Sequence, residues 1–344
     1  MKQDFNKSGA PQFTLRPRRA ISSAATDLVI FEPAGARYFP TVVRPATSGV
    51  DLISWSQADR ERIQAAILRH GAILFRGFDV RSASYFERFI AVISGQPLPY
   101  IERSSPRKLV SGHVYSSTEY PAEHAIFLHS ENSYQKSWPL KIFFYCELPA
   151  EQGGETPIAD TRRILERIRP SVRDKFAEKG VLYVRTFEGG LGLSWQTVFQ
   201  TADRRLVEQY CLDAGIEYSW DGPDRLKTKQ LRRAIQTHPV TGESVWFNHA
   251  VFFHLSTLDP IAQQVLRASL PEGNLPNNTY YGDGSPIEQE ALDHLRTVYS
   301  EETVYFPWRR GDILMLDNML TAHGRSPYCG ARKILVGMTE PYSA

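Results

Sequence analysis

The sequence is poor in cysteine and has no long apolar stretch. Its three cysteines, Cys146, Cys211 and Cys329, lie far apart in a chain of 344 residues and form no CxxC pair. This argues against a disulfide framework and favours a reducing compartment. No apolar run approaches the ~18–20 residues that span a bilayer, and the first residues lack the apolar core of a secretory signal. The sequence therefore predicts a cytoplasmic protein without a membrane partner.

The chain also has little net charge. Lys and Arg total 40 against 38 Asp and Glu, which gives a formal net charge of +2. Five of the basic residues fall within residues 1–20, so the remaining chain is close to neutral and has no broad basic face. Nucleic acid is therefore not expected as a partner. Residues 1–20 show no periodicity and are predicted to form a flexible N-terminal arm.

The rest of the composition is that of a globular protein, with 42% hydrophobic and 23% charged residues. No linker, repeat or low-complexity tract interrupts residues 21–344, so a single domain is predicted there. Apolar runs at 141–146, 313–316 and 334–336 predict buried strands, and the stretch 161–235 is predicted to be mostly helical. Scattered strands with helices between them favour a barrel or sandwich over an alternating βαβ sheet.

The triplet His129-Ser130-Glu131 is the most informative local feature. Residues i and i+2 of a strand point to the same face, so the imidazole and the carboxylate could reach one ion. His323, directly after a predicted strand, is the best candidate for a third ligand. Two histidines and one carboxylate on one face of an ion form the facial triad of non-haem Fe(II) oxygenases. Alone, however, such a triplet is weak evidence, because it more often consists of surface or capping residues.

A second feature is an arginine at the start of an apolar strand. Strand alternation puts Arg332, Ile334 and Val336 on one face, which is predicted to point inward. A buried guanidinium needs an anionic partner. The partner is either a dicarboxylate cosubstrate or a carboxylate of the protein itself.

From about Gly71 to Met338, the sequence resembles the TauD/TfdA group of Fe(II)/2-oxoglutarate dioxygenases. The match is best with its amino-acid hydroxylases of nonribosomal peptide assembly, such as the syringomycin-type aspartyl β-hydroxylase. The matching segments occur in order, which is more specific than any one motif. They are 70–78 (HGAILFRGF), 128–131 (LHSE), 153–160 (GGETPIAD), 246–249 (WFNH), 281–285 (YGDGS), 311–318 (GDILMLDN), 322–325 (AHGR) and 332–336 (RKILV).

This resemblance implies a site and a fold. It makes His129, Glu131 and His323 the ligands of Fe(II). It makes Arg332 the partner of the distal carboxylate of the cosubstrate 2-oxoglutarate, with Thr156 hydrogen-bonding the same molecule, and O₂ the second cosubstrate. The implied fold is mainly β with helical insertions, around a double-stranded β-helix or jelly-roll core.

The resemblance also implies an activity. The expected reaction is hydroxylation of an unactivated C–H bond of an amino acid or amino-acid-derived substrate in natural-product biosynthesis. The substrate would be free or bound as a thioester to a peptidyl carrier protein. Glu131 replaces the Asp that is commoner in the family, while members that halogenate lack the carboxylate. Desaturation, cyclisation or epoxidation with the same cofactors stays open, as does a catalytically silent metal-binding jelly roll.

Four further residues are candidates for substrate contact. Asn248 and His249 lie in the WFNH segment, although structural packing is the alternative for His249. Arg325 follows His323 by two residues, with a structural salt bridge as its alternative. Arg107 is predicted either to cover the site or to be a surface charge.

Overall fold

A computed structural model describes residues 28–33, 39–99, 108–118, 120–188 and 192–343. The predicted arm, residues 1–20, lies outside this part of the chain. The division into an arm and a single domain over residues 21–344 therefore stays a prediction. No helix in the described ranges has the length and apolar character needed to cross a membrane.

The described residues form nineteen strands and nine α-helices, with 3₁₀ turns at Leu255–Thr257 and Glu272–Asn274. The helices are α1 (Leu52–Ala58), α2 (Arg60–His70), α3 (Ala83–Ser94), α4 (Thr161–Arg167), α5 (Pro170–Lys179), α6 (Trp195–Phe199), α7 (Arg204–Ala214), α8 (Pro260–Ser269) and α9 (Gln289–Glu302). The strands are β1 (Val29–Pro33), β2 (Thr41–Pro45), β3 (Ala72–Phe75), β4 (Leu109–Ser111), β5 (Val114–Ser116), β6 (Ile126–His129), β7 (Ser137–Leu148), β8 (Gln152–Gly153), β9 (Ile158–Asp160), β10 (Val181–Phe187), β11 (Glu217–Asp221), β12 (Arg225–Arg232), β13 (Ile235–Thr237), β14 (Ser244–Trp246), β15 (Asn277–Tyr281), β16 (Ile313–Asp317), β17 (Thr321–Arg325), β18 (Tyr328–Cys329) and β19 (Lys333–Ser343).

The largest sheet has eight strands in the order β1-β2-β3-β16-β7-β19-β5-β4. Its pairs are antiparallel except for β2 and β3. Both faces of its central strands are buried, which explains why these segments are continuous apolar runs. Phe143 and Tyr145 of β7 pack on the side of α1, α2 and α3, whereas Phe144 and Cys146 belong to a second core on the other side.

The second core joins the large sheet to a three-stranded sheet in the order β6-β17-β9. Ile158 of β9 packs there with Leu314 of β16 and with Ile334 and Val336 of β19. Two sheets therefore enclose one apolar layer, and the predicted mainly β fold with helical insertions and a jelly-roll core is confirmed. Arg332 precedes β19, and Lys333 points outward to pair with Glu147 at 2.9 Å.

The helical prediction for 161–235 is wrong in part. Helices α4, α5, α6 and α7 lie there, but β10, β11 and β12 also do, and they form a four-stranded sheet with β15. In β12 the buried residues are Leu226, Thr228 and Gln230, two of them polar, and they alternate with more exposed residues. Because the inward positions are not apolar, the period of two is invisible to a hydrophobicity pattern.

A buried ion pair fixes the turn between β16 and β17. The Lys141 ammonium of β7 lies 2.8 Å from the Asp317 carboxylate, and His238 Nε2 lies 3.2 Å from it. Asp317 also accepts hydrogen bonds from the backbone N–H groups of Met319 and Leu320. Burial alone raises the pKa of Asp317, but Lys141 and His238 bring it below its usual value. The carboxylate is therefore charged and holds the turn that leads to His323.

Lys141→Met should lower the free energy of unfolding by about 3–5 kcal/mol, because it leaves the Asp317 charge buried without its cation. The matched control is Lys333→Met, which removes a half-exposed lysine from the same sheet and should cost at most about 1 kcal/mol. Urea unfolding followed by circular dichroism measures both. Equal losses in the two variants would contradict the structural role of the pair.

Candidate functional site

Strand pairing brings two of the predicted ligands together. In the antiparallel pair of β6 and β17, His129 lies directly opposite His323. Their ring centroids are 4.6 Å apart. A Cβ at Gly324 would come within 2.6 Å of the carbonyl oxygen of Ile126. Only glycine allows β6 to approach β17 so closely, and this approach sets the distance between the imidazoles.

Glu131 reaches the same point by a different route from the one that the sequence suggested. Strand β6 ends at His129, so Glu131 lies in the following turn and not on the strand. The next residue, Asn132, has a φ of 57°, which turns the chain sharply. Glu131 Oε2 nevertheless lies 3.7 Å from His323 Nε2, and both side chains are buried.

Asn318 holds the backbone of Glu131. Its side-chain oxygen accepts a hydrogen bond from the Glu131 N–H at 2.7 Å, and its side-chain nitrogen donates to the Glu131 carbonyl at 2.9 Å. The same nitrogen donates to the carbonyl of Pro139 at 2.8 Å. Asn318 is fully buried beside Asp317. The turn that carries Glu131 is therefore fastened to β7 and to the end of β16.

The His129 ring is held on two sides. Nδ1 donates to the carbonyl of Phe127 at 2.9 Å, because a carbonyl can only accept. The basic nitrogen of the neutral ring is therefore Nε2. The ring of Phe252 stacks on the imidazole, with centroids 4.4 Å apart and planes 9° apart. A metal-binding histidine is commonly oriented in this way, by a hydrogen bond from its other nitrogen.

These three side chains fit a divalent metal ion. One donor atom from each of His129, Glu131 and His323 lies within 4.8 Å of the others. Ligands at about 2.0–2.2 Å from one ion and at right angles are separated by about 3 Å, so small side-chain shifts suffice. Two imidazole nitrogens and one carboxylate oxygen are the donor set of iron sites that keep open positions. No other such cluster of three or more His, Cys, Asp or Glu occurs among the described residues.

A cavity adjoins this cluster and carries positive charge. Arg325 and Arg332 both line it, and no Asp or Glu does. The lining residues are Ser117, Thr118, Ile126, His129, Phe144, Thr156, His323, Gly324, Arg325, Arg332, Ile334 and Val336. A cavity lined by two guanidiniums and no carboxylate is suited to an anionic ligand.

The Arg332 guanidinium is positioned by neutral groups. Nε donates to the carbonyl of Gly154 at 2.9 Å and Nη1 to the Ser117 hydroxyl at 3.4 Å. No carboxylate of the described residues lies within 4.0 Å of it. Burial, and then the neighbouring Arg325, lower the pKa of Arg332 to about 10, so the group is still charged at neutral pH. A Cβ at Gly154 would lie 3.0 Å from both the Arg332 side chain and the Ala150 Cβ, and the φ of 71° also favours glycine at this position.

Arg325 has a different set of partners. Its guanidinium donates to the carbonyls of Tyr120, Pro121 and His124 at 2.5–2.8 Å. It has no carboxylate partner among the described residues, so the expected alternative of a salt bridge is not observed. Burial lowers the pKa of Arg325 as well. Arg325 thus fastens the segment before β6 while it lines the cavity.

The other predicted contacts lie away from the cavity wall. Asn248 donates to the carbonyl of Ala234 and accepts from the N–H of Ala250, so the backbone engages both ends of its amide.

His249 is buried, and a hydrogen bond joins its Nδ1 to the Ser133 hydroxyl at 2.5 Å. Its ring centroid is 5.5 Å from that of His129. Burial, followed by the charges of His129 and Arg185, holds the pKa of His249 far below its usual value. Arg107 lies outside the described residues.

Sequence reasoning missed Asn318, Phe252 and Trp308, whose indole N–H donates to the Thr156 hydroxyl at 3.1 Å. Asn318 directly follows a buried strand, a position where a polar side chain meets the end of the sheet. That signal was available within the segment 311–318. Phe252 contacts His129, and Trp308 contacts Thr156, each across more than 100 residues of sequence. The sequence pattern gives no signal for such distant contacts.

Comparison with known proteins places this site in a family. The model of the family described as "Taurine catabolism dioxygenase TauD, TfdA family" matches residues 37–339. The dapdiamide synthesis protein DdaC of Enterobacter agglomerans is 40% identical over 310 residues, which cover 87% of this chain and 94% of that protein. A clavaminate synthase-like protein of Arabidopsis thaliana is 30% identical over 321 residues, covering 88% and 94%.

A solved structure supports the same fold. The crystal structure of a taurine dioxygenase from Burkholderia xenovorans superimposes with a TM-score of 0.52 at 18% identity, covering 91% of this chain and 89% of the other. The family match spans most of the chain, and both curated relatives align along nearly its whole length. The protein therefore belongs to the TauD/TfdA family and is a non-haem iron dioxygenase that uses 2-oxoglutarate and O₂ as cosubstrates.

Proposed function

We propose that the protein hydroxylates an unactivated C–H bond of an amino acid or an amino-acid-derived substrate, either free or carried on a peptidyl carrier protein, in the biosynthesis of a natural product. The relative named for dapdiamide synthesis, at 40% identity, supports the biosynthetic setting. The resemblance to amino-acid hydroxylases supports the substrate class. The glutamate at position 131 supports oxygen insertion, because the carboxylate occupies the position that halogenating members leave open.

The observation that carries this proposal is the partly buried charge of Arg332 beside the histidine pair. Arg332 has no carboxylate partner among the described residues, yet it lines the same cavity as His129 and His323. A guanidinium in such a place binds an anion by charge-assisted hydrogen bonds. We assign the distal carboxylate of 2-oxoglutarate to Arg332 and Thr156, and the iron to His129, Glu131 and His323.

The residues then divide the work as follows. Iron held by His129, Glu131 and His323 would supply the oxidation with 2-oxoglutarate and O₂: one oxygen atom would enter the substrate C–H bond, and the other would enter the cosubstrate, which would leave as succinate and CO₂. His129 and His323 are presented by paired strands, and Glu131 by a turn that Asn318 fastens. Arg332 would bind the far end of the cosubstrate, so that its oxo acid end would lie toward His129 and His323, which line the same cavity. The apolar side chains of Phe144, Ile334 and Val336 line this cavity and help to exclude water.

The reaction is tested with a panel of free and carrier-bound amino acids. Succinate release should follow O₂ uptake in equal amounts only with a true substrate. The product should be heavier than the substrate by one oxygen atom in mass spectrometry. A product lighter by two hydrogen atoms would overturn hydroxylation in favour of desaturation. Failure of every amino-acid substrate, with full activity on another class, would overturn the substrate assignment.

Glu131→Ala should weaken Fe(II) binding by more than about 100-fold and abolish product formation. Loss of a partner that merely orients a ligand already costs about 10–100-fold in metal affinity, so loss of the ligand itself costs more. Calorimetric titration with Mn(II) in place of iron measures the affinity without turnover. The control is Glu147→Ala, which removes a glutamate that pairs with Lys333 at the surface. Full activity of the Glu131 variant would show that the carboxylate is not a ligand.

Arg332→Gln should weaken 2-oxoglutarate binding by about 2–4 kcal/mol, the range for truncating one partner of a buried charge pair. Metal affinity should stay nearly unchanged. The absorption band that forms when 2-oxoglutarate chelates Fe(II) without oxygen reports the dissociation constant. Lys333→Gln is the matched control, because this neighbouring cation points to the opposite face. An unchanged dissociation constant in the Arg332 variant would show that another residue binds the distal carboxylate, and Arg325 would be the next to test.

A further inference from the structure

The hydrogen bond between Trp308 and Thr156 at the cavity wall can have only one direction. Trp308 Nε1 and Thr156 Oγ lie 3.1 Å apart, and an indole nitrogen can only donate. The Thr156 oxygen is therefore the acceptor, and its own proton is left to donate elsewhere. Thr156 is 2% exposed and faces the cavity that Arg332 lines. Among the described residues, the Thr156 hydroxyl has no acceptor of its own.

We propose that Trp308 is a positioning residue for the cosubstrate, acting through Thr156. By occupying one lone pair of the Thr156 oxygen, the indole turns the hydroxyl proton toward the cavity, where the carboxylate beside Arg332 accepts it. This inference rests on the proposed assignment of 2-oxoglutarate to Arg332 and Thr156. It adds the residue that sets the direction of the threonine hydroxyl before the ligand arrives.

The backbone on both sides of Trp308 is fastened by one buried ion pair. Arg76 binds the Asp312 carboxylate through Nε and Nη2, at 2.6–3.1 Å. The same guanidinium donates to the carbonyl of Pro307 at 2.7 Å, and the same carboxylate accepts from the N–H of Arg309 at 2.8 Å. Both chain neighbours of Trp308 are thus tied to β3 and to the start of β16. The indole is presented to Thr156 by a rigid support.

A threonine hydroxyl without such a partner rotates between staggered positions. Only some of these positions direct the hydroxyl proton at the distal carboxylate of 2-oxoglutarate. Part of the free energy of binding would therefore be lost in ordering the Thr156 hydroxyl. A hydrogen bond to a charged carboxylate is among the stronger ones in proteins. An indole that fixes the direction of the Thr156 hydroxyl before binding therefore increases the affinity for 2-oxoglutarate.

The test is Trp308→Phe, which removes the N–H and keeps an aromatic ring. The dissociation constant of 2-oxoglutarate, measured by the absorption band of the Fe(II) protein without oxygen, should rise about 3–10-fold, as expected for partial loss of one such hydrogen bond. Affinity for Mn(II) should not change. The matched control is Trp138→Phe. Trp138 is also buried, and its indole nitrogen has no hydrogen-bond partner in the described ranges.

Two further variants separate positioning from packing. In a Thr156→Val background, Trp308→Phe should change the 2-oxoglutarate constant by less than about twofold, because the hydroxyl that it orients is gone. The same fold-change in both backgrounds would overturn the proposal, since Trp308 would then act by packing alone. If the phenylalanine variant does not fold, replacement of Trp308 by the sulfur isostere benzothienylalanine removes only the N–H and gives the same comparison.

The 2-oxoglutarate affinities of the Arg332→Gln and Trp308→Phe variants together distinguish the role of Trp308 from the proposed function. If Arg332→Gln weakens cosubstrate binding and Trp308→Phe does not, the proposed function stands and the positioning role is wrong. If Arg332→Gln leaves the constant unchanged, the assignment of the anion site itself fails.

Discussion

The proposed site depends on a partly buried arginine, Arg332, which has no ion-pair partner among the described residues. Arg332 donates hydrogen bonds to the carbonyl of Gly154 and the hydroxyl of Ser117, which are both neutral groups, and Glu155 acts on its charge only from beyond ion-pair distance. Arg325, which lines the same cavity, adds a second cation and further lowers the pKa of Arg332. A carboxylate of the protein placed there would neutralise Arg332. Without one among the described residues that line it, the cavity beside the histidine pair is suited to an anionic ligand.

The side chains that meet this cavity are supported by two buried ion pairs outside it. Lys141 and Asp317 hold the turn between β16 and β17, from which Asn318 reaches the backbone of Glu131. Arg76 and Asp312 hold the segment before β16. Each ion pair joins two segments that are far apart in the sequence, and both lie at central strands of the large sheet. The turn that carries Glu131 and the segment before β16 are therefore both fastened to the large sheet.

Strand alternation made part of this arrangement predictable from the sequence. It predicted that Arg332, Ile334 and Val336 share an inward face, and the three residues do line one cavity while Lys333 points outward. Arg332 itself precedes β19, however, and the register shifts between Lys333 and Ile334, so regular alternation is not the full cause. The metal-ligand pattern predicted that His323 lies near His129, but the pairing of β6 with β17 that puts them opposite each other spans almost two hundred positions and was not predicted. The turn at Glu131 and the strand β12 escaped prediction. The first depends on Asn318 from a distant segment, and the second buries polar side chains that give no apolar period.

The most direct test of the central assignment is a crystal structure of the protein with Mn(II) and 2-oxoglutarate, grown without oxygen. We expect the ion within about 2.0–2.3 Å of one donor atom each from His129, Glu131 and His323, as for similar nitrogen and oxygen ligands. The distal carboxylate should lie between the Arg332 guanidinium and the Thr156 hydroxyl. An ion bound elsewhere, or a distal carboxylate held away from Arg332, would contradict the assignment.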